Sequence, residues 1–82
     1  MEKENLSAKL SSELFSLAAT AHLSENPEHY LRAAKIAHSL GMLNYAIELA
    51  WEGLYAITIH PDSDIESELM AIYETIRKSL NN

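Results

Sequence analysis

Residues 27–62 read PEHYLRAAKIAHSLGMLNYAIELAWEGLYAITIHPD, and this stretch decides the fold. Asn26 just before it is a favoured helix N-cap, and Pro27 suits the first helical position, where its missing N–H is no loss. A helix is predicted from Pro27 to Leu40. Tyr30, Ala33, Ala34, Ala37 and Leu40 recur at helical spacing as its apolar arc, with Glu28, Arg32, Lys35 and Ser39 on the wet side. Glu28 and Arg32 stand four apart as a candidate ion pair. Gly41 fits the position after a helix, where a left-handed residue is wanted. The next helix is predicted over 43–59. It is the least polar of the chain, and His60-Pro61 ends it. Its apolar face is read as Ile47, Ala50, Leu54 and Ile57. The small residues Ala33, Ala34, Ala37, Ala46, Ala50 and Gly53 let these two helices approach closely, and intramolecular packing is the reading given to them.

Outward from this pair lie two further helices. Leu6, Leu10, Leu14, Leu17 and Ala21 recur at spacings of three and four, which predicts a helix over 6–23 with Phe15 and Leu23 off its apolar stripe. On the other flank, Ser63 followed three residues later by Glu66 reads as a capping box for a helix over 64–80. Ile65, Leu69, Ile72, Ile76 and Leu80 give that helix a narrow buried stripe, and Arg77 and Lys78 sit in its last turn, where the helix dipole favours cations. All connections are short, so successive helices should pack roughly antiparallel. The expected fold is all-α: one domain, residues 1–82, built as a four-helix bundle or an array of helical hairpins.

Composition agrees and bounds the function. The chain has 82 residues, 48% of them apolar, which is typical of a folded domain and too high for disorder. Two Gly and two Pro leave little room for the turns of an all-β fold. So short a domain buries only about 60–65% of the surface of its unfolded chain, so a partner or a second copy can matter to its stability. Twelve Asp and Glu against six Lys and Arg set a net charge of −6. That balance argues against nucleic acid and anionic membranes, which need basic residues to neutralise phosphate. There is no cysteine, hence no disulfide, zinc–thiolate site or thiol nucleophile. No stretch is apolar enough to span a bilayer and the N-terminus lacks a signal-peptide pattern, so a cytoplasmic location is expected.

Two families share features with the middle of the chain. Residues 27–62 resemble a single tetratricopeptide repeat (TPR), in which two antiparallel helices pack through small residues at fixed positions. Tyr30 stands at the first aromatic position, Ala34 at the small position of the first helix, Gly41 in the turn, and Ala46 and Gly53 at the small positions of the second. Ala50 replaces a larger residue, and Pro61 closes the unit about three residues late for a 34-residue repeat. A shift of about 35 residues lays Ile65, Leu69 and Ile72 on Tyr30, Ala34 and Ala37. The resemblance implies a scaffold that binds peptides or proteins. The segment Ile36-Ala37-His38-Ser39-Leu40-Gly41, followed by Ile47, also resembles the helix-turn-helix of DNA-binding proteins. Its recognition helix would present Asn44, Tyr45, Glu48 and Glu52, with no Arg or Lys between residues 36 and 76. Base and phosphate contacts need other residue types, so charge weighs against this reading.

The candidate binding residues lie on the third helix. At 100° per residue Asn44, Glu48, Glu52, Tyr55 and Thr58 form one stripe, and Trp51 projects into its middle. An aromatic pair, Trp51 and Tyr55, framed by Glu48 and Glu52, has the composition of a protein-binding hot spot. The competing reading places Trp51 beneath the first or fourth helix. Asp62, Asp64, Glu66 and Glu68 form an acidic patch, read as capping and a solvated face, or as a surface for a basic partner. His22, His29, His38 and His60 form no zinc-ligand pattern, and neither a catalytic set nor a cofactor motif can be assembled. The expected function is therefore a small acidic protein–protein interaction module, acting as an adaptor, a chaperone-like subunit or an inhibitor. It is not expected to be an enzyme or to use a cofactor, and it could form a homodimer. The alternatives are a helix-turn-helix regulator and an acidic nucleic-acid mimic, such as a phage-encoded inhibitor.

Overall fold

Asn26, Gly41 and Asp62 set the three chain reversals, and each does so by satisfying a helix end. The computed structural model describes the backbone of residues 2–81 and the side chains of residues 8–81. Among them are four α-helices and no strand: α1 (Glu2–Ser24), α2 (Pro27–Ser39), α3 (Leu43–Ile57) and α4 (Ser63–Leu80). The side chain of Leu6, expected on the apolar stripe of α1, lies outside the described residues. Asn26 Oδ1 accepts the Glu28 N–H at 3.0 Å, and Pro27 occupies the first turn of α2. Gly41 has φ +78°, with its N–H donating to His38 O at 3.0 Å and the Met42 N–H to Ala37 O at 2.9 Å. This pair of bonds closes a helix through a left-handed residue, and it lets α3 begin at once.

Five helix ends differ from the sequence expectation: the ends of α1 and α2 move by one residue each, to Ser24 and Ser39, and the other three shift for a local reason. The helix-forming residues before Leu6 extend α1 back to Glu2. α3 stops at Ile57, because the Thr58 and Ile59 N–H groups bond to Tyr55 O and Ala56 O in tight turns three residues long. α4 starts one residue early, capped by Asp62 and not by Ser63: Asp62 Oδ1 accepts from the Asp64 and Ile65 N–H groups, both at 3.2 Å. Asp62 has the extended backbone that a cap needs, at φ −155° and ψ 105°.

The helices form a slab with principal extents of 41 × 32 × 18 Å. The short dimension fits two helix layers, given axes about 8–10 Å apart. α2 is the hub and packs against α1, α3 and α4, while α3 also packs on α4. This explains why α2 is buried over a wider arc than its period suggests. Tyr30, Ala33, Ala34 and Ala37 are all buried as expected, and so is Leu31, which joins Ile57 and Leu69 in a second cluster.

The centre of the α3 face is likewise rotated from the expected one. Ala46, Leu49, Ala50, Gly53, Ala56 and Ile57 are its buried residues, while Ile47 and Leu54 are only partly covered. The small residues sit where close approach requires them. A Cβ on Gly53 would lie 2.9 Å from the Tyr30 Cβ and 2.7 Å from Leu69 Cδ2. Gly53 is thus the point where α2 and α4 both meet α3.

On α1, Leu14, Ala18 and Ala21 are buried, with Leu10 and Leu17 partly covered; Phe15 and Leu23 are exposed. On α4, Leu69 and Ile76 anchor the stripe and Leu80 is exposed. The Glu28–Arg32 pair does not close. Lys35 instead reaches Glu68 at 3.4 Å, and Arg77 pairs with Glu74 at 2.8 Å, the bond that holds the Glu74 carboxyl below its usual range. Among the described residues no polar side chain is buried apart from the Tyr30 phenol, and no helix is long and apolar enough to cross a membrane.

Candidate functional site

The outer side of α3 follows from its register. Burying the 46–49–50–53–56–57 face turns Asn44, Glu48, Trp51, Tyr55 and Thr58 outward and leaves Glu52 partly covered at the edge. Trp51 is 56% exposed and Tyr55 59% exposed, so Trp51 lies beneath no other helix. Their rings are stacked, with centroids 6.4 Å apart and planes 14° from parallel. One turn of helix separates them, which is why two aromatics at this spacing meet. Each ring uses the other as a shield, yet each still presents more than half of its surface to solvent. Large aromatics in this state are an unspent source of binding energy.

Beside this pair lies an open cleft of about 320 Å³, lined by His22 from α1 and by Tyr45, Glu48, Leu49, Trp51 and Glu52 from α3. Beyond Glu52 it meets a smaller hollow of about 70 Å³, where Glu25, Tyr30 and Tyr55 take part in the lining. The two hollows share Glu52 and follow one another along α3 as a groove, with His22 near the end of α1 on the far side of the first. Tyr30, on α2, bonds across to α1: its hydroxyl lies 3.1 Å from His22 Nδ1, and the rings meet edge to face at 5.4 Å. Burial, and after it the facing Glu52 and Glu25 carboxylates, push the Tyr30 phenol above its ordinary pKa. Tyr30 therefore keeps its proton at neutral pH.

The structure brings Glu48, Trp51, Glu52 and Tyr55 together as the sequence reading placed them, with Asn44 one turn further toward the start of α3. It adds His22, Glu25, Tyr30 and Tyr45, which that reading did not assign to the site. His22 and Tyr30 carry a signal that was available: each lies four residues from Asn26, so an antiparallel hairpin reversing there sets them opposite one another. Glu25 carries no such signal, because its left-handed φ of +53° is not read from any periodicity.

The acidic patch is elsewhere. Asp62, Asp64, Glu66 and Glu68 are exposed at the start of α4, and none of them lines the groove. Asp62 is occupied in capping and Glu68 in its pair with Lys35. Among the described residues no group of three or more His, Asp or Glu side chains is placed to hold a metal ion. Comparisons of the chain with models of protein families, with curated proteins and with solved structures find no match.

Proposed function

We propose that this chain is a small acidic protein–protein interaction module that engages its partner through the outer side of α3. The observation that carries the reading is the stacked Trp51–Tyr55 pair, exposed at the edge of a groove. A tryptophan left open to water gains more from a protein contact than almost any other side chain, because it removes a large apolar area at little cost in side-chain freedom. The helical frame fits the same role. α2 and α3 are read as a TPR-like hairpin, supported by the contact of Gly53 with Tyr30 and the full burial of Ala34 and Ala46. The module holds α3 rigidly and presents one face of it. An adaptor, a chaperone-like subunit and an inhibitor would all use that face in the same way. No catalysis and no cofactor are assigned to it.

The helix-turn-helix reading gains nothing from the fold. Its recognition face would be Asn44, Tyr45, Glu48 and Glu52, in a stretch with no Lys or Arg. The test is paired affinity capture from the native host with wild-type and Trp51→Ala protein as baits. The partner should be retained by the first and lost from the second, with the helical circular dichroism unchanged. A folded Trp51→Ala protein that retains the partner fully would refute the assignment.

A further inference from the structure

We propose that the groove between α1 and α3 takes an arginine side chain from a basic segment of the partner, its guanidinium laid on the exposed Trp51–Tyr55 pair and bonded to Glu48 and Glu52. This names the chemistry of the partner and rests on the reading of α3 as the docking face. Three features of the groove select this occupant.

The first is charge without a countercharge. Glu25, Glu48 and Glu52 line the groove, and among the described residues none of them has a basic group within 4 Å, the ion pairs being Lys35–Glu68 and Glu74–Arg77. Around Glu48 and Glu52 the sequence supplies none, since residues 36–76 hold no Lys or Arg. The groove is thus a negatively charged recess in a protein of net charge −6, and it draws cations.

The second is the aromatic wall. A cation over an indole face is attracted by the ring quadrupole, and a planar guanidinium also stacks on the ring while its N–H fork meets carboxylates edge-on. An ammonium makes only part of these contacts, which is why arginine is chosen over lysine.

The third is size. A volume of about 320 Å³ lies at the bottom of the range for small-molecule pockets, and the cleft is open at the side. It suits one long side chain entering from a surface-bound chain. The smaller hollow past Glu52, with Glu25 at its edge, continues the acidic track and accommodates a neighbouring basic residue.

The experiment is a titration of isotopically labelled protein, followed by amide and indole resonances at low salt. The probe is the peptide acetyl-Gly-Arg-Gly-Ser-Arg-Gly-Ser-Arg-Gly-amide, with counterparts carrying Lys or Gln in place of Arg. The Arg peptide should produce saturable shifts at the Trp51 indole N–H and at residues around His22, Glu48 and Tyr55. It should bind about threefold more tightly than the Lys peptide, and the Gln peptide should not saturate. Glu48→Gln with Glu52→Gln should weaken binding about tenfold. Asp64→Asn with Glu66→Gln, which removes the same charge from α4, should leave it within about twofold.

Equal weakening by the two double variants would overturn the proposal, because the attraction would then be diffuse. Saturable shifts confined to α4, or no saturable shift at Trp51, would overturn it as well. Should the Arg peptide fail while Trp51→Ala still abolishes capture of the native partner, the cationic occupant is wrong and the docking face stands. Should Trp51→Ala leave capture intact, the docking face itself is wrong.

Discussion

Replacing Gly53 by alanine adds a single methyl group, and two physical effects of opposite sign compete over it. In an isolated helix the change stabilises by about 1 kcal/mol, because alanine is the better helix former. In this protein the new Cβ would lie 2.7 Å from Leu69 Cδ2, 3.1 Å from Leu69 Cδ1 and 2.9 Å from Tyr30 Cβ. Carbon atoms rest at about 3.5–4.0 Å, so the contacts are short by roughly 0.4–1.3 Å. Leu69 could rotate its methyl groups, but it is fully buried with Leu31 and Ile57. Tyr30 Cβ cannot rotate away, since it is fixed to the α2 backbone. Relief therefore requires α2 to move off α3, and overpacking against an atom fixed to the backbone belongs to the upper part of the usual range, about 2–3 kcal/mol.

The helix-propensity gain offsets part of that cost. The expected net loss is about 1–2 kcal/mol, which for a domain of this length lowers the melting temperature by roughly 5–15 °C. Thermal and urea unfolding followed by circular dichroism would measure it. Gly41→Ala is the informative comparison: nothing lies within 4 Å of its added Cβ, so its cost is the left-handed φ of +78° alone. Gly41→Asn should recover much of that loss, because Asn tolerates the left-handed region, while Gly53→Asn should be worse than Gly53→Ala. A Gly53→Ala protein as stable as wild type, or more so, would refute the claim that α2, α3 and α4 are locked together at this residue.

The N-cap of α4 separates the two assignments made for it: Asp62→Ala should cost about 1 kcal/mol, whereas Ser63→Ala should be nearly neutral, and matched urea midpoints would decide between Asp62 and Ser63 as the cap. Tyr30→Phe removes the hydroxyl bonded to His22 and should cost about 1 kcal/mol at neutral pH. Because the folded phenol titrates above the unfolded one, its stabilisation is fully present below about pH 10 and lost as pH rises through the folded value. The stability gap between wild type and Tyr30→Phe should therefore shrink on the alkaline side, and a gap that widens there would contradict the assigned cause. Glu25 holds a left-handed backbone that glycine adopts freely, so Glu25→Gly should stabilise the protein by about 0.5–1 kcal/mol in urea unfolding while weakening the arginine peptide. A Glu25→Gly protein with a lower midpoint would show that its side chain contributes more to folding than its backbone costs.

Much of the architecture was legible in the sequence because short-range physics sets it. Four apolar periodicities, the Asn26-Pro27 start and the Gly41 stop act over one or two turns of chain, and they placed every helix with ends shifted by a few residues. The helical repeat also put Glu48, Glu52 and Tyr55 on one stripe with Trp51 in its middle, but it left open whether Trp51 faced water or lay beneath α1 or α4, and the docking of the helices decided that. Three further things needed the tertiary structure. Leu31 is buried because α2 is enclosed by three helices, a fact no single-helix period contains. Leu49 and Ala56 replace Ile47 and Leu54 at the centre of the α3 face because the backbone approach at Gly53 fixes its rotation. The groove exists because the end of α1 comes to rest beside α3, bringing His22 and Glu25 to residues more than twenty positions away. Local propensity and capping determine which segments are helical and where they stop. The docking of those helices decides which carboxylates and aromatics share one recess, because that depends on contacts between residues with no proximity in the chain.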